Sequence, residues 1–135
     1  MEIEQILKEN NLTKEKVEEI IIELAKQGKT TSEIGAILRD QYGIYDVRLI
    51  IGKKLKQFLK EKELYSQIPE DLKALFKRYL IVEKHLSVHK KDKHSKRGLR
   101  IIESKIKRLI NYYKEKGELD PKFRFNKDQI ALYLK

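Results

Sequence analysis

The sequence of 135 residues contains no cysteine and no tryptophan, and only two prolines and six glycines. Without cysteine the chain can form neither a disulfide framework nor a thiolate metal site, which fits a reducing compartment. The scarcity of proline and glycine, together with abundant Leu, Ile, Lys and Glu, favours helix over sheet. These absences predict an all-α protein that depends on a hydrophobic core and not on covalent staples.

The sequence also lacks a long apolar run. Its first residues, MEIE, have neither the basic start nor the apolar core of a signal peptide. No segment approaches the roughly 20 apolar residues that span a bilayer. We therefore expect a soluble, cytoplasmic protein.

Acidic residues are scarce in only one part of the chain. Residues 1–72 hold 12 Lys/Arg against 14 Asp/Glu, residues 73–116 hold 15 against 4, and residues 117–135 hold 4 against 3. The middle segment thus carries +11 (15 minus 4), which accounts for the whole net charge of +10. A concentrated basic field attracts phosphate and releases counterions, so the distribution predicts a nucleic acid as partner. An anionic membrane surface is the electrostatic alternative.

Apolar residues at spacings of three and four predict three helices in the first half of the chain. Thr13 is a candidate N-cap for the first helix, and Thr31 and Ser32 offer hydroxyl caps to the second. Asp46 can cap a third helix that runs through Gly52. A connector precedes the next helical pattern, so we expect residues 1–64 to form a small N-terminal helical unit.

Two longer apolar stripes, at residues 72–86 and 99–113, predict two long helices. The segment 89–95 between them is too polar to bury, so we expect an antiparallel hairpin, a helix bundle, with this segment at its tip. Residues 123–125 should pack back, and residues 127–134 should form a short C-terminal helical tail. Because the two stripes can pair with each other, a membrane-surface role for these basic helices is disfavoured. Residues 65–135 therefore form the second predicted domain.

The segment 85–99 combines many cations with one carboxylate, three imidazoles and two hydroxyls. Asp92 could accept a hydrogen bond from the N2 amine of guanine, and Ser95 could contact 2′-hydroxyls in the shallow minor groove of A-form RNA. The alternative interpretation assigns Asp92 and Ser95 only to the capping of the fifth helix. The pattern alone does not choose between the two.

This segment resembles a known family. Its pattern H-L-x-x-H-K-K-D-x-H-S-x-R-G-L is similar to that of the ribosomal small-subunit protein numbered fifteen in the bacterial scheme. Residues 24–28, 32–43 and 68–73 resemble the amino-terminal half of archaeal and eukaryotic members. The resemblance implies a structural ribosomal protein and not an enzyme. It also implies binding to the central domain of small-subunit ribosomal RNA, at a helical junction and along an adjoining minor groove.

The resemblance further implies which residues contact the RNA. Groove contacts would come from His85, Asp92 and Ser95, while Arg78 and Tyr112 would approach the junction. His89 and His94 belong to the matched pattern and are included in the predicted site. From their charge we expect phosphate contacts by the cations of the hairpin: Lys90, Lys91, Lys93, Lys96, Arg97, Arg100, Lys105 and Arg108.

The predicted partners follow from the same resemblance. We expect small-subunit ribosomal RNA and neighbouring ribosomal proteins as partners, within a ribosome whose assembly and translation the protein supports. We expect no membrane partner, no small-molecule substrate and no cofactor. The free protein is expected to be a monomer.

The first half allows a different interpretation. Residues 28–38 lie in a helix, turn, helix pattern that resembles a DNA-binding helix-turn-helix, which would make the protein a transcription regulator. The second helix of this pattern, residues 32–41, is slightly acidic, however. This helix carries the single cation Arg39, which gives little attraction for DNA phosphate.

A metal site is the other alternative. His85 and His89 are spaced i and i+4, which could place two imidazoles on one ion. The HExxH motif is absent, and the neighbouring lysines oppose a dication. We therefore expect neither a metal site nor a catalytic one.

Overall fold

A computed structural model describes residues 2–9 and 11–134 of the chain. Within these ranges every regular element is a helix, which confirms the predicted all-α fold. The chain divides into two compact units, Met1–Tyr65 and Ser66–Lys135. Each unit has its own cluster of buried apolar side chains.

The first unit contains α1 (Glu2–Glu9), α2 (Lys14–Lys26), α3 (Thr31–Tyr42), α4 (Val47–Ile51) and α5 (Leu55–Glu61). Thr13 caps α2, as the sequence predicted. The cap of α3 is Thr30, one residue before the predicted hydroxyls, because Thr30 and Glu33 form a reciprocal capping box. The helices bury one apolar cluster: Val17, Ile21, Ile34, Leu38, Ile44, Ile50, Ile51, Phe58 and Leu59.

The third predicted helix is interrupted at Gly52, so the prediction of a continuous helix there is wrong. Gly52 adopts a φ of 79°, and its N–H donates to the carbonyl of Arg48 at 2.9 Å. This left-handed conformation ends α4, and α5 begins at Leu55. Glycine adopts it without the steric cost that a Cβ atom would bring.

In the second unit, α6 (Glu70–Val88) and α7 (Lys93–Glu115) pack against each other as the predicted hairpin. The connection is shorter than predicted. It comprises residues 89–92, because Asp92 caps α7 and residues 93–95 already belong to the first turn of that helix. The cluster of this unit comprises Ile68, Leu72, Phe76, Tyr79, Ile102, Ile106, Ile110, Leu119 and Ile130.

The C-terminal tail packs back onto this hairpin, as predicted. It forms a single 3₁₀ turn (Lys127–Gln129) followed by α8 (Ile130–Tyr133). The ring of Phe125 lies 6.2 Å from the ring of Phe76 and meets the ring of Tyr79 edge-on at 5.6 Å. These contacts join the tail to the apolar face of α6.

A polar contact holds the same tail on α7. Lys127 Nζ lies 2.9 Å from Glu103 Oε1, and the hydroxyl of Tyr79 donates to that oxygen at 3.2 Å. The hydrogen bond from Lys127 holds the pKa of the Glu103 carboxyl below its usual range. Burial raises the pKa of Tyr79 above its usual range. Both groups therefore keep their ordinary charges at neutral pH, and the ion pair remains intact.

Replacing Gly52 with alanine should destabilise the protein. A Cβ atom at Gly52 would meet nothing within 4 Å, so the cost arises only from the positive φ. That cost is about 1 to 2 kcal/mol. Gly35 is a matched control, because it lies inside α3 and a Cβ atom there also meets nothing within 4 Å. Gly35→Ala should stabilise by about 0.4 to 1 kcal/mol.

Urea unfolding followed by circular dichroism measures both changes. We expect a lower midpoint for Gly52→Ala and a higher midpoint for Gly35→Ala, with the slope unchanged. Midpoints that move in the same direction would contradict this account of the break between α4 and α5.

Candidate nucleic-acid interface

Asp92 joins the end of α6 to the beginning of α7. Its Oδ1 accepts from the backbone N–H of Ser95 at 3.0 Å, and its Oδ2 accepts from the Ser95 hydroxyl at 2.7 Å. The same Oδ2 lies 2.8 Å from Nε2 of His85. Because an ionised carboxylate only accepts hydrogen bonds, Nε2 of His85 carries the proton in this contact. One carboxylate therefore fixes both a helix cap and an imidazole.

These contacts keep Asp92 charged. The hydrogen bonds from the hydroxyl and backbone of Ser95, and then the bond from His85, hold the pKa of the Asp92 carboxyl well below its usual range. The side chain is 31% exposed, so solvent and a partner can still reach it. A carboxylate has lone pairs for about four donors, and three donors are present here. One acceptor position is left for a donor from outside the protein.

A shallow concave surface adjoins this carboxylate. The ring of His89 lies 4.7 Å from the ring of His85, and Val88 is 74% exposed between them along the chain. The turn thus presents two imidazoles, an apolar side chain and cations around one negative charge. The residues that line the surface are His85, Val88, His89, Lys90, Lys91 and Asp92.

The structure brings together only part of the predicted site. His94 and four of the predicted cations lie at the beginning of α7, directly after Asp92. These cations are Lys93, Lys96, Arg97 and Arg100. Tyr112 lies about 28 Å further along the helix than Lys93, at 1.5 Å per residue. Arg78 lies near the middle of α6. The exposed residues of the predicted set on α7 are Lys93, His94, Lys96, Arg97, Arg100, Lys105, Arg108 and Tyr112.

Six of these exposed residues form two groups along α7. Lys93, Arg97 and Arg100 follow one another at intervals of four and three residues, which places them on one face near the tip. Further along the helix, Lys105, Arg108 and Tyr112 follow one another at intervals of three and four residues and share a face in the same way. The hairpin therefore carries one basic group near its tip and a second one toward the other end of α7.

The two neighbouring tyrosines of α7 have different environments. Tyr113 packs against the core, and its hydroxyl donates to the carboxylate of Asp71 at 2.6 and 2.5 Å. Tyr112 is 45% exposed, and Nζ of Lys116 lies 4.8 Å from its ring centroid. Tyr112 is thus the ring that a partner can reach.

Two side chains beside the predicted site residues, Lys116 next to Tyr112 and Val88 next to His89, were absent from the sequence prediction. Lys116 follows Tyr112 by four residues, a spacing that brings two side chains together on a helix, so it could have been found. Val88 gave no such signal, because its exposure depends on where α6 ends. In the described part of the chain no group of three or more His, Asp or Glu side chains is arranged to hold a metal ion. None of the described helices is long and apolar enough to cross a membrane.

Comparison with known proteins identifies the class. A family model described as Ribosomal protein S15 matches residues 52–132, and one described as Ribosomal S13/S15 N-terminal domain matches residues 7–44. The small ribosomal subunit protein uS15 of Methanobrevibacter smithii is 48% identical over 121 residues, which cover 90% of this chain and 92% of that relative. These matches place the chain among ribosomal proteins.

The chain belongs to the ribosomal protein S15 family. The resemblance drawn from its motifs is therefore confirmed. The alternative of a DNA-binding regulator is not favoured, because the helix, turn, helix segment lies within residues 7–44, which match an N-terminal domain of ribosomal proteins.

The Asp92 carboxylate should make stability depend on pH. Its pKa is lower in the folded protein than the unfolded value of about 4. The stabilisation that the ionised group contributes is therefore fully present above about pH 4 and is lost as the pH falls through the folded-state pKa. Asp92→Asn removes this component, although asparagine remains a good N-cap.

Denaturant unfolding of both proteins tests this dependence. The difference in free energy of unfolding, wild type minus Asp92→Asn, should shrink as the pH falls from about 5 to about 2. The other titratable groups are present in both proteins, so the comparison isolates the contribution of Asp92. A difference that stays constant over the window would show that the charge of Asp92 does not stabilise the turn.

Proposed function

We propose that the protein is a structural constituent of the small ribosomal subunit that binds small-subunit ribosomal RNA through the tip of the α6–α7 hairpin. The observation that carries this proposal is the arrangement at Asp92. An ionised carboxylate with one acceptor position left stands among exposed lysines, held by His85 and Ser95. Family membership and the similarity to the small ribosomal subunit protein uS15 of Methanobrevibacter smithii support the ribosomal assignment.

In this proposal, one set of residues supplies the affinity for RNA, and another fixes the position of the protein along the RNA. The cations of the hairpin neutralise phosphates, which supplies binding energy without sequence information. Asp92 accepts from the N2 amine of a guanine in the minor groove of A-form RNA. His85 and Ser95 orient the carboxylate and lie close enough to it to contact adjoining 2′-hydroxyls.

The second basic group suits a second RNA element. Tyr112 offers an exposed ring for stacking on a base, and Lys105 and Arg108 share its face of α7. The separation of about 28 Å between Lys93 and Tyr112 allows the two ends of α7 to contact different parts of one folded RNA. This fits a helical junction in the central domain with an adjoining helix, and Arg78 contributes to the junction contact.

The two parts of the chain then have different roles. Residues 65–135 bind RNA, while residues 1–64 form an N-terminal unit of the archaeal and eukaryotic type that contacts neighbouring ribosomal proteins. The protein acts by binding, and through it supports subunit assembly and translation. It is a monomer before assembly.

Asp92→Asn should weaken binding to the cognate RNA about tenfold, because the substitution replaces an acceptor that a guanine amine requires. The same change removes a negative charge from a basic surface, so binding to nonspecific RNA should stay the same or become tighter. The cognate RNA is a transcript of the central domain of Methanobrevibacter smithii small-subunit ribosomal RNA. A scrambled transcript of equal length serves as nonspecific RNA.

Lys91→Gln is the matched control for this experiment, because it changes the charge of the same turn by one unit. Lys91→Gln should weaken binding to the cognate and to the nonspecific RNA by a similar factor, as expected for a phosphate contact. Filter binding or fluorescence anisotropy gives the dissociation constants, and thermal melting confirms that both variants fold. Tighter binding of Asp92→Asn to the cognate RNA would refute the base-reading role.

The protein should prefer a structured RNA junction over duplex DNA of matched length. The minor groove of B-form DNA is narrow and has no 2′-hydroxyls, so the contacts proposed for the turn cannot form there. Binding to the RNA should also fall steeply as salt increases, since many cations displace counterions. A competition assay at several salt concentrations measures both. Equal competition by DNA and RNA would argue against minor-groove recognition.

A further inference from the structure

Basic charge is also concentrated at one place in the first unit. Residues 1–52 hold 7 Lys/Arg against 10 Asp/Glu, whereas residues 53–63 hold five lysines against two glutamates. The first unit is therefore nearly neutral as a whole but has a basic end. We call this end the α5 lysine surface: Lys53, Lys54, Lys56, Lys60 and Lys62.

Four of these ammonium groups lie within 6 Å of the centroid of an aromatic ring, either Phe58 or Tyr65. Nζ of Lys53 and Nζ of Lys62 each lie 5.9 Å from the ring centroid of Phe58. Nζ of Lys56 and Nζ of Lys60 lie 5.5 and 5.6 Å from the ring centroid of Tyr65. Like charges repel one another, and attraction to the rings partly offsets this repulsion.

The rings also reduce the conformational cost of binding an anion. A free lysine side chain loses up to about 2 kcal/mol of rotamer entropy when it is fixed. A side chain already held against a ring loses less on binding. Phe58 belongs to the buried cluster of the first unit, so its ring is a fixed point for Lys53 and Lys62.

Three of the five lysines of the α5 lysine surface are exposed and can contact an anion in solution. Lys53 pairs with Glu61, and this pair spans the length of α5. Lys54, Lys60 and Lys62 are exposed. We propose that the α5 lysine surface is a second RNA contact, which binds the sugar-phosphate backbone without reading bases.

An RNA backbone is the partner that fits this chemistry. Lysine ammonium groups are point charges that bind phosphate without the planar geometry that arginine imposes, and the surface contains no arginine. Grouped cations match the repeated charges of a polyanion. The choice of ribosomal RNA as the polyanion rests on the proposed function. Two contacts on one chain would increase affinity through effective concentration.

The experiment compares four triple variants of the full chain with the wild type, and the fourth replaces Lys54, Lys60 and Lys62 with arginine. The test variant is Lys54→Gln, Lys60→Gln, Lys62→Gln. The control variant changes three exposed lysines elsewhere in the first unit, Lys14, Lys16 and Lys26, to glutamine. The third variant changes Lys90, Lys91 and Lys93 of the hairpin turn to glutamine. Glutamine preserves helix propensity, and thermal melting checks that all variants fold.

Dissociation constants for Methanobrevibacter smithii small-subunit ribosomal RNA, transcribed in vitro, are measured over a range of salt. The test variant should bind about tenfold or more weakly at low salt, and its salt slope should fall by about two to three, because each lost phosphate contact removes 0.7 to 0.9. The control variant should match the wild type within about twofold. Replacing the same three α5 lysines with arginine should restore binding.

The hairpin variant separates two kinds of failure. If it loses affinity while the test variant behaves like the control variant, the α5 lysine surface does not contact RNA and this inference is wrong. If the wild type does not bind the RNA, or the hairpin variant binds as well as the wild type, the proposed function itself fails. If the test and control variants weaken equally, net charge explains the effect and the inference is also overturned.

Discussion

The buried apolar contact between α6 and α7 determines the geometry of the second unit. Phe76 and Tyr79 on α6, with Ile102 and Ile106 on α7, can share one cluster only if the chain reverses between the helices. The reversal occurs within residues 89–92. It therefore brings the last turn of α6 close to the first turn of α7, where Asp92 contacts both His85 and Ser95. The cations excluded from the cluster remain exposed on the outer faces, as hydrophobic burial requires.

The periodicity of apolar residues predicted α2, α3, α6 and α7, because burial itself has the period of the helix, but it did not predict α1. The apolar periodicity did not predict where helices break or how long the connection between α6 and α7 is. At Gly52 the apolar spacing continues, but a positive φ breaks the helix, which only the fold reveals. The polar segment after α6 was predicted three residues too long, because polarity does not distinguish a connection from an exposed first helical turn. The bond between His85 and Asp92 depended on that length, so the sequence could not supply it.

The two interpretations that the sequence left open for Asp92 do not exclude each other. The structure shows that Asp92 caps α7 and also bonds His85. Capping uses hydrogen bonds from Ser95, and a carboxylate has enough lone pairs to accept a further donor. The cap also suits the proposed recognition, because it fixes the carboxylate before RNA binds and so reduces the entropy lost on binding. The negative charge of Asp92 can thus stabilise the turn and also fix the position of the protein along the RNA.

Site-specific photo-crosslinking tests most directly whether the hairpin turn contacts a defined place on ribosomal RNA. A photoreactive residue at position 88 replaces the exposed Val88 beside His89, and the crosslinked nucleotides are mapped on Methanobrevibacter smithii small-subunit ribosomal RNA. A probe at the exposed position of Lys14 in α2 is the control. RNA recognition by the hairpin turn predicts crosslinks from position 88 to one short stretch of paired RNA near a junction in the central domain, and few from position 14. Crosslinks scattered over the RNA, or equal from both positions, would contradict it.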